Sequence, residues 1–226
     1  NVIAAISLSA AVIILYSLFF APSPNELKKI DEKKLSLSSE APKLEESKKI
    51  VELSRDQALK ESNRIQFENQ NIKGSISLMG GTIDDLIFKN YTETLDGKNK
   101  ITLLNPKKYS EGYFVETGWV SSSKNIELPN SNTNWKVEGN NKLTPGNPVT
   151  LVWNNNQGIS FKKKIKIDEK FLFSIDQIIT NQSEKSYDFY AYGQIIRNKS
   201  PQVTNFYILH EGLIGVLNDQ LVEKDY

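Results

Sequence analysis

Two pairs of adjacent residues have the types that chemistry uses: Asp84-Asp85 and His210-Glu211. Paired carboxylates can share a proton as general acid and base, and a histidine beside a carboxylate can move protons near neutral pH. Asp84-Asp85 lie in KGSISLMGGTIDDLIFKNYTET, residues 73–94, just after Gly80-Gly81. Ile72, Gly74, Ile76 and Leu78 alternate with Lys73, Ser75 and Ser77, the pattern of a strand with one buried face. Gly80-Gly81 offers the positive-φ freedom that a tight hairpin needs. On the returning strand Asp85 shares a face with Ile83 and Ile87, and Asp84 with Leu86 and Phe88, because successive side chains alternate. The two acids therefore cannot converge on one proton or one metal ion unless a bulge intervenes. Turn and strand-edge chemistry is the reading adopted.

His210 falls in phase with Phe206 and Ile208, which reads as a core or boundary histidine. It is the sole histidine, and cysteine is absent, so multi-histidine sites, thiolate metal sites and disulfides are excluded. Trp119, Trp135 and Trp153 could serve as stacking platforms for a sugar. Trp153 alternates in phase with Val149 and Leu151 and reads as core, while the other two stay open. Lys162, Lys164 and Lys166 could face anionic lipid headgroups or an acidic partner, but such a stripe is more often a solvated sheet face. No catalytic, cofactor-binding or metal-ligating residue is assigned, and no enzyme activity is expected. The 28 basic and 27 acidic residues nearly cancel, so no global field points to nucleic acid.

Three regions must position these residues. Residues 1–21 include a run of twenty without a charge, from Val2 to Ala21. As a helix that run would span about 30 Å, the thickness of a bilayer's hydrocarbon core. It is longer than the ~7–15-residue apolar region of a cleaved signal peptide, so a permanent transmembrane anchor is expected. Residues 22–62 hold nine basic and nine acidic residues and no aromatic one, the composition of a charged flexible linker. As a coil it would reach roughly 35 Å end to end. A short helix is possible near residues 46–62. Lys28, Lys29, Lys33 and Lys34 follow the anchor and lean its far side toward the cytoplasm.

From residue 63 to 226, short runs rich in Ile, Val, Phe and Tyr alternate with turn signals such as Asp96-Gly97 and Pro145-Gly146. In ISFKKKIKI, Ile159, Phe161, Ile165 and Ile167 share one face. FLFSIDQII does the same with Phe171, Phe173, Ile175 and Ile179. Strands at this spacing predict antiparallel sheets packed face to face, an all-β sandwich.

Residues 73–94, YFVETGW (113–119), LTPGNPVTLVW (143–153), ISFKKKIKIDEKFLF (159–173), YGQIIRNKSPQ (192–202) and FYILHEGLIGVLNDQLVEKDY (206–226) together resemble the periplasmic domain of the Gram-negative YidC family of membrane protein insertases. The resemblance implies an N-terminal transmembrane helix, then a periplasmic β-supersandwich related to galactose mutarotases, then five further spans that form the insertase. The sandwich is expected to be incomplete at Tyr226, with the insertase core absent. Against the lysine count, the resemblance implies that residues from Pro22 onward lie in the periplasm of an inner-membrane protein. It implies nascent membrane proteins, the Sec translocon with accessory subunits, and the lipid bilayer as partners, with no small-molecule substrate and no cofactor. The alternative is a membrane-anchored carbohydrate-binding or mutarotase-like periplasmic protein. Mutarotase chemistry wants an acid and a base on opposite sides of the sugar ring, and His210-Glu211 is the single candidate pair. Exposed sheet edges are a further expected docking surface.

Overall fold

The computed structural model describes residues 53–201 and 210–226. The expected anchor and most of the expected linker lie outside the described residues. Among the described residues no helix is long and apolar enough to cross a membrane.

Among the described residues one short helix, α1 (Arg55–Lys60), precedes thirteen strands: β1 (Arg64–Glu68), β2 (Ile72–Ser77), β3 (Thr82–Thr92), β4 (Lys100–Leu104), β5 (Tyr113–Ser121), β6 (Lys136–Glu138), β7 (Lys142–Leu143), β8 (Val149–Asn154), β9 (Ile159–Ile167), β10 (Phe173–Asn181), β11 (Phe189–Arg197), β12 (Gly212–Leu217) and β13 (Gln220–Asp225). Seven strands form one sheet, in the order β11-β5-β3-β2-β1-β7, with β4 also paired to β3. Four form a second sheet, β10-β9-β8-β6, while β12 and β13 pair as a separate hairpin. The all-β expectation thus agrees with the structure.

The alternation read in the sequence builds the core. Ile65 and Phe67 from β1, Ile72 and Ile76 from β2, and Ile83 and Leu86 from β3 meet Val149 and Leu151 from β8 and Ile159, Phe161, Ile165 and Ile167 from β9 in one buried cluster. Each such side chain contributes roughly 1.5–3 kcal/mol when fully buried. Trp119 and Trp135, open in the sequence, are both buried here, with ring centroids 6.3 Å apart. Trp119 also packs 5.2 Å from the Phe161 ring, and Trp153 lies 5.7 Å from it. All three indoles thus contribute to packing.

Residues 53–62, assigned by composition to the linker, are fastened to the sheet. Six residues are too few for an autonomous helix, so tertiary contacts must hold α1. Ser54 caps it through a capping box with Gln57, and Ala58 is buried. Leu53 bridges in parallel to Tyr109, and the Ser62 and Ser77 hydroxyls lie 2.7 Å apart. Composition signals only that a segment lacks apolar area; it does not register the few specific polar contacts that order this one.

Candidate functional site

The loop of residues 78–81 joins β2 to β3 with both glycines left-handed, φ 75° at Gly80 and 63° at Gly81. The hairpin read from Gly80-Gly81 is therefore present. Its loop is docked further by Gly80 N–H donating to the Thr133 carbonyl and Trp135 N–H to the Leu78 carbonyl, both at 2.8 Å.

A bulge does intervene at the paired acids. Ser75 pairs with Asp85 and Ile76 with Ile83, which leaves Asp84 as the extra residue on β3. The extra residue resets the alternation, so Ile83 joins Leu86 in the core and no longer shares the face of Asp85. This corrects the face assignment drawn from strict period-two counting. Both carboxylates are buried, and each has its own arginine. Arg64 Nη2 donates to Asp84 Oδ1, and Arg55 Nη2 donates to Asp85 Oδ1. Ser75 links the two pairs: Arg64 Nε donates to its hydroxyl at 2.7 Å, and that hydroxyl donates to Asp85 Oδ2 at 2.6 Å. Arg55 Nε also donates to Asn105 Oδ1 at 2.9 Å.

Burial holds the Asp84 carboxyl above its usual range; Arg64 opposes this and the neighbouring Asp85 charge adds to it. Each carboxylate is nevertheless occupied by its own guanidinium, which leaves little room for a substrate at either acid. Among the described residues no group of three or more His, Cys, Asp or Glu is placed to hold a metal ion. What this network can do is mechanical: it pins α1 onto the outer face of the larger sheet. Neither arginine was singled out by sequence reading, although Arg64 shares the phase of Gln66 and Glu68 on that outer face.

A second polar cluster was missed outright. Lys163 lies in phase with Phe161 and Ile165, faces the core, and is 1% exposed although it is a lysine. β3 pairs with β5 only at Ile83–Val115, so β5 runs on past Val115 without that neighbour. Lys163 fills the gap, donating to the Thr117 carbonyl at 2.6 Å and, more weakly, to those of Gly80 and Gly81 at 3.3 and 3.4 Å. Its ammonium also stands 4.9 Å over the Trp135 ring. Next to it, Tyr192 Oη donates to the buried Glu116 carboxylate at 3.1 Å. Burial, with the Glu116 charge and hydrogen bond, raises the Tyr192 pKa.

Burial lowers the Lys163 pKa to about 8, partly offset by Glu116. The unfolded chain therefore binds more protons than the folded one between this value and the free-lysine value of about 10.4. Stability should rise with pH across that window, by roughly 3 kcal/mol. Urea midpoints at pH 7.5 and pH 10 check this, provided Lys163→Met is measured alongside. The variant should lose that part of the rise, and an unchanged rise would count against the buried ammonium.

The other sequence candidates separate. His210 Nδ1 faces the Asp225 carboxylate at 3.4 Å, and the run VTNFYIL (203–209), whose alternation suggested a core or boundary position, lies outside the described residues. Lys162 donates to Glu138 at 2.7 Å and Lys166 to Asp176 at 2.9 Å, so two of the three stripe lysines are paired on their own sheet. The hydrogen bond and charge of Lys166 hold the Asp176 carboxyl below its usual range. Among the described residues the ordered strands end at β11 and β7 on the larger sheet, with β4 off that path, and at β10 and β6 on the smaller.

This β body also has a recognisable sequence. The pattern of the YidC periplasmic domain family matches residues 64–226, from the first strand to the end of the chain. The chain belongs to the YidC periplasmic domain family. Among curated proteins it is 55% identical over 228 residues to a membrane protein insertase YidC from Pelagibacter ubique (strain HTCC1062), covering 100% of this chain and 41% of the relative. The YidC insertase of Brucella suis biovar 1 (strain 1330) is 41% identical over 177 residues, covering 77% of this chain and 29% of the relative. That of Methylorubrum extorquens (strain PA1) is 42% identical over 176 residues, covering 77% and 28%. The chain therefore spans less than half the length of these YidC relatives. Their shared name denotes an insertase and no covalent reaction, and none of them is named for sugar binding or mutarotation.

Proposed function

We propose that the chain is the membrane-anchored periplasmic part of a YidC insertase, which helps membrane proteins insert, fold and assemble in the bacterial inner membrane. The observation that carries this reading is the 55% identity along the whole chain to a named insertase, joined to the periplasmic-domain match. Residues 1–21 supply the anchor and residues 22–52 the tether that leads to α1. Insertion needs no bond chemistry: apolar segments gain free energy on entering lipid, and the insertase lowers the barrier for their polar flanks. The site suits that reading, because its carboxylates are occupied by arginines and its buried lysine by carbonyls.

Within the whole protein the β body acts as scaffold and docking surface. β10 and β11 are nine-residue edge strands with exposed Ile178, Tyr190 and Ile195. Further strands of the longer protein would extend both sheets there toward a supersandwich, and the β12–β13 hairpin, with Leu213, Ile214 and Val216 exposed, would pack into that extension. Nascent membrane proteins are the proposed clients, with the Sec translocon and its accessory subunits as partners.

The test is insertion by the complete gene product in proteoliposomes. A single-span client with a short translocated tail should yield a protease-protected fragment with the protein present. Yields equal to those of empty liposomes would refute the reading.

A further inference from the structure

One end of the sandwich presents apolar side chains at the tips of two hairpins, one from each sheet. On the β9–β10 turn Phe171 is 47% exposed and Leu172 63%; on the β3–β4 hairpin Tyr91 is 54% exposed and Leu95, at its tip, fully so. The two hairpins meet through Phe88, whose ring lies 5.9 Å from Phe171 and 5.6 Å from Tyr91. None of these four side chains belongs to the core cluster.

The β9–β10 turn is built to hold its apolar residues outward. Asp168 Oδ1 accepts from the Lys170 and Leu172 N–H groups at 2.8 and 2.9 Å, and Asp168 N–H donates to the Leu172 carbonyl at 3.1 Å. Asn69 Nδ2 donates to the carbonyls of Asp168 and Lys170 at 2.8 and 2.9 Å, and Asn71 Nδ2 to that of Glu169 at 2.9 Å. Most of the turn's backbone polar groups are thus satisfied inside the protein, which is what contact with a lipid boundary demands of a loop. A turn fixed in this way presents Phe171 and Leu172 without further ordering cost.

We infer that this two-hairpin tip is a lipid-contacting surface, with Phe171, Leu172, Tyr91 and Leu95 entering the headgroup–acyl boundary of the bilayer. The inference rests on the anchor proposed above. Residues 22–52 number thirty-one, so whatever their conformation they cannot carry the domain more than about 110 Å from the membrane. A tethered surface needs little intrinsic affinity, because linkage raises its effective concentration. Four convex apolar side chains fall far short of the roughly 20–30 residues a side of a stable protein interface. They suit the shallow insertion by which Phe, Tyr and Leu hold peripheral segments at a membrane surface. Aspartate and lysine flank both tips, so the apolar contact, not net charge, supplies the attraction.

The chain has no cysteine, so one introduced thiol carries one probe. The full chain would be reconstituted into vesicles of phosphatidylethanolamine and phosphatidylglycerol, labelled with an environment-sensitive fluorophore at Lys170→Cys or at Glu184→Cys. Glu184 follows β10 at its other end, a strand's length of about 30 Å away. Spin-labelled lipids should quench the Lys170 probe at least twofold more than the Glu184 probe. Phe171→Ser with Leu172→Ser, both already exposed, should erase that difference while leaving the circular dichroism unchanged. Equal quenching at the two positions, or quenching that survives the double serine variant, overturns the proposal. Flotation of the chain with vesicles reads the anchor separately. A chain that floats but shows equal quenching defeats the tip alone, and one that stays at the bottom defeats the anchor and the tip with it.

Discussion

Gly74→Ala is expected to cost more than about 3 kcal/mol, beyond the ordinary range for overpacking, and to leave the β body largely unfolded at 37 °C. Gly74 sits on the core-facing side of β2, beside the bulge. A methyl there would lie 1.9 Å from the Asp85 carbonyl oxygen and 2.6 Å from Phe67 Cζ. Phe67 could rotate, but the oxygen is backbone, and it belongs to the strand paired with β2. Relief would require β2 and β3 to separate at the point where Ser75, Asp85 and Arg64 join. Urea denaturation followed by tryptophan fluorescence reads the loss, since Trp119 and Trp135 report the core. A variant that unfolds at the parental urea concentration would mean that β2 and β3 are not in contact here.

Arg64→Ala is the second large effect, about 3–5 kcal/mol, because it leaves a buried carboxylate without its counter-charge. The penalty follows from removing one partner and does not measure the value of the pair. Its pH dependence has a definite sign. The Asp84 pKa is already raised by burial, so the folded state holds its proton more tightly than the unfolded chain does. That contribution is fully present below the unfolded aspartate value, about 3.9, and is lost as pH rises through the folded value. Without Arg64 the folded value climbs further. The deficit relative to the parent should therefore shrink as pH falls from 7 toward 4. Arg64→Lys should recover part of the loss, since it restores charge without the two-pronged contact to Asp84 and Ser75. A deficit that is flat with pH would show that Asp84 is not the group left behind.

Alternating patterns made the sheets legible. β9 follows its predicted alternation residue by residue, and the Gly80-Gly81 turn falls where the glycines placed it. Three features resisted that reading for separate reasons. The bulge at Asp84 changes strand phase by one residue, and nothing local in IDDLI announces it. Period counting therefore splits the acids, whereas the fold gathers them around Ser75 with two arginines. Lys163 was visible as the in-phase member of the Phe161–Ile165 face, but a lysine there looks like a break in the pattern. Its reason is β5 running on beyond its single pairing with β3, a tertiary fact. The ordering of α1 likewise depends on Asp85 and Asn105, thirty and fifty residues away from Arg55. The family resemblance supplied what spacing could not: it linked a sandwich with no assigned chemistry to a membrane insertase.

The central claim is that this body works outside the cytoplasm on a membrane tether, and topology tests it most directly. Cells producing the full chain would be converted to spheroplasts and treated with a broad-specificity protease, then probed with an antibody against the β body. The epitope should vanish from unbroken spheroplasts while a cytoplasmic marker stays intact. A β body that survives whole until the membrane is broken would contradict the account.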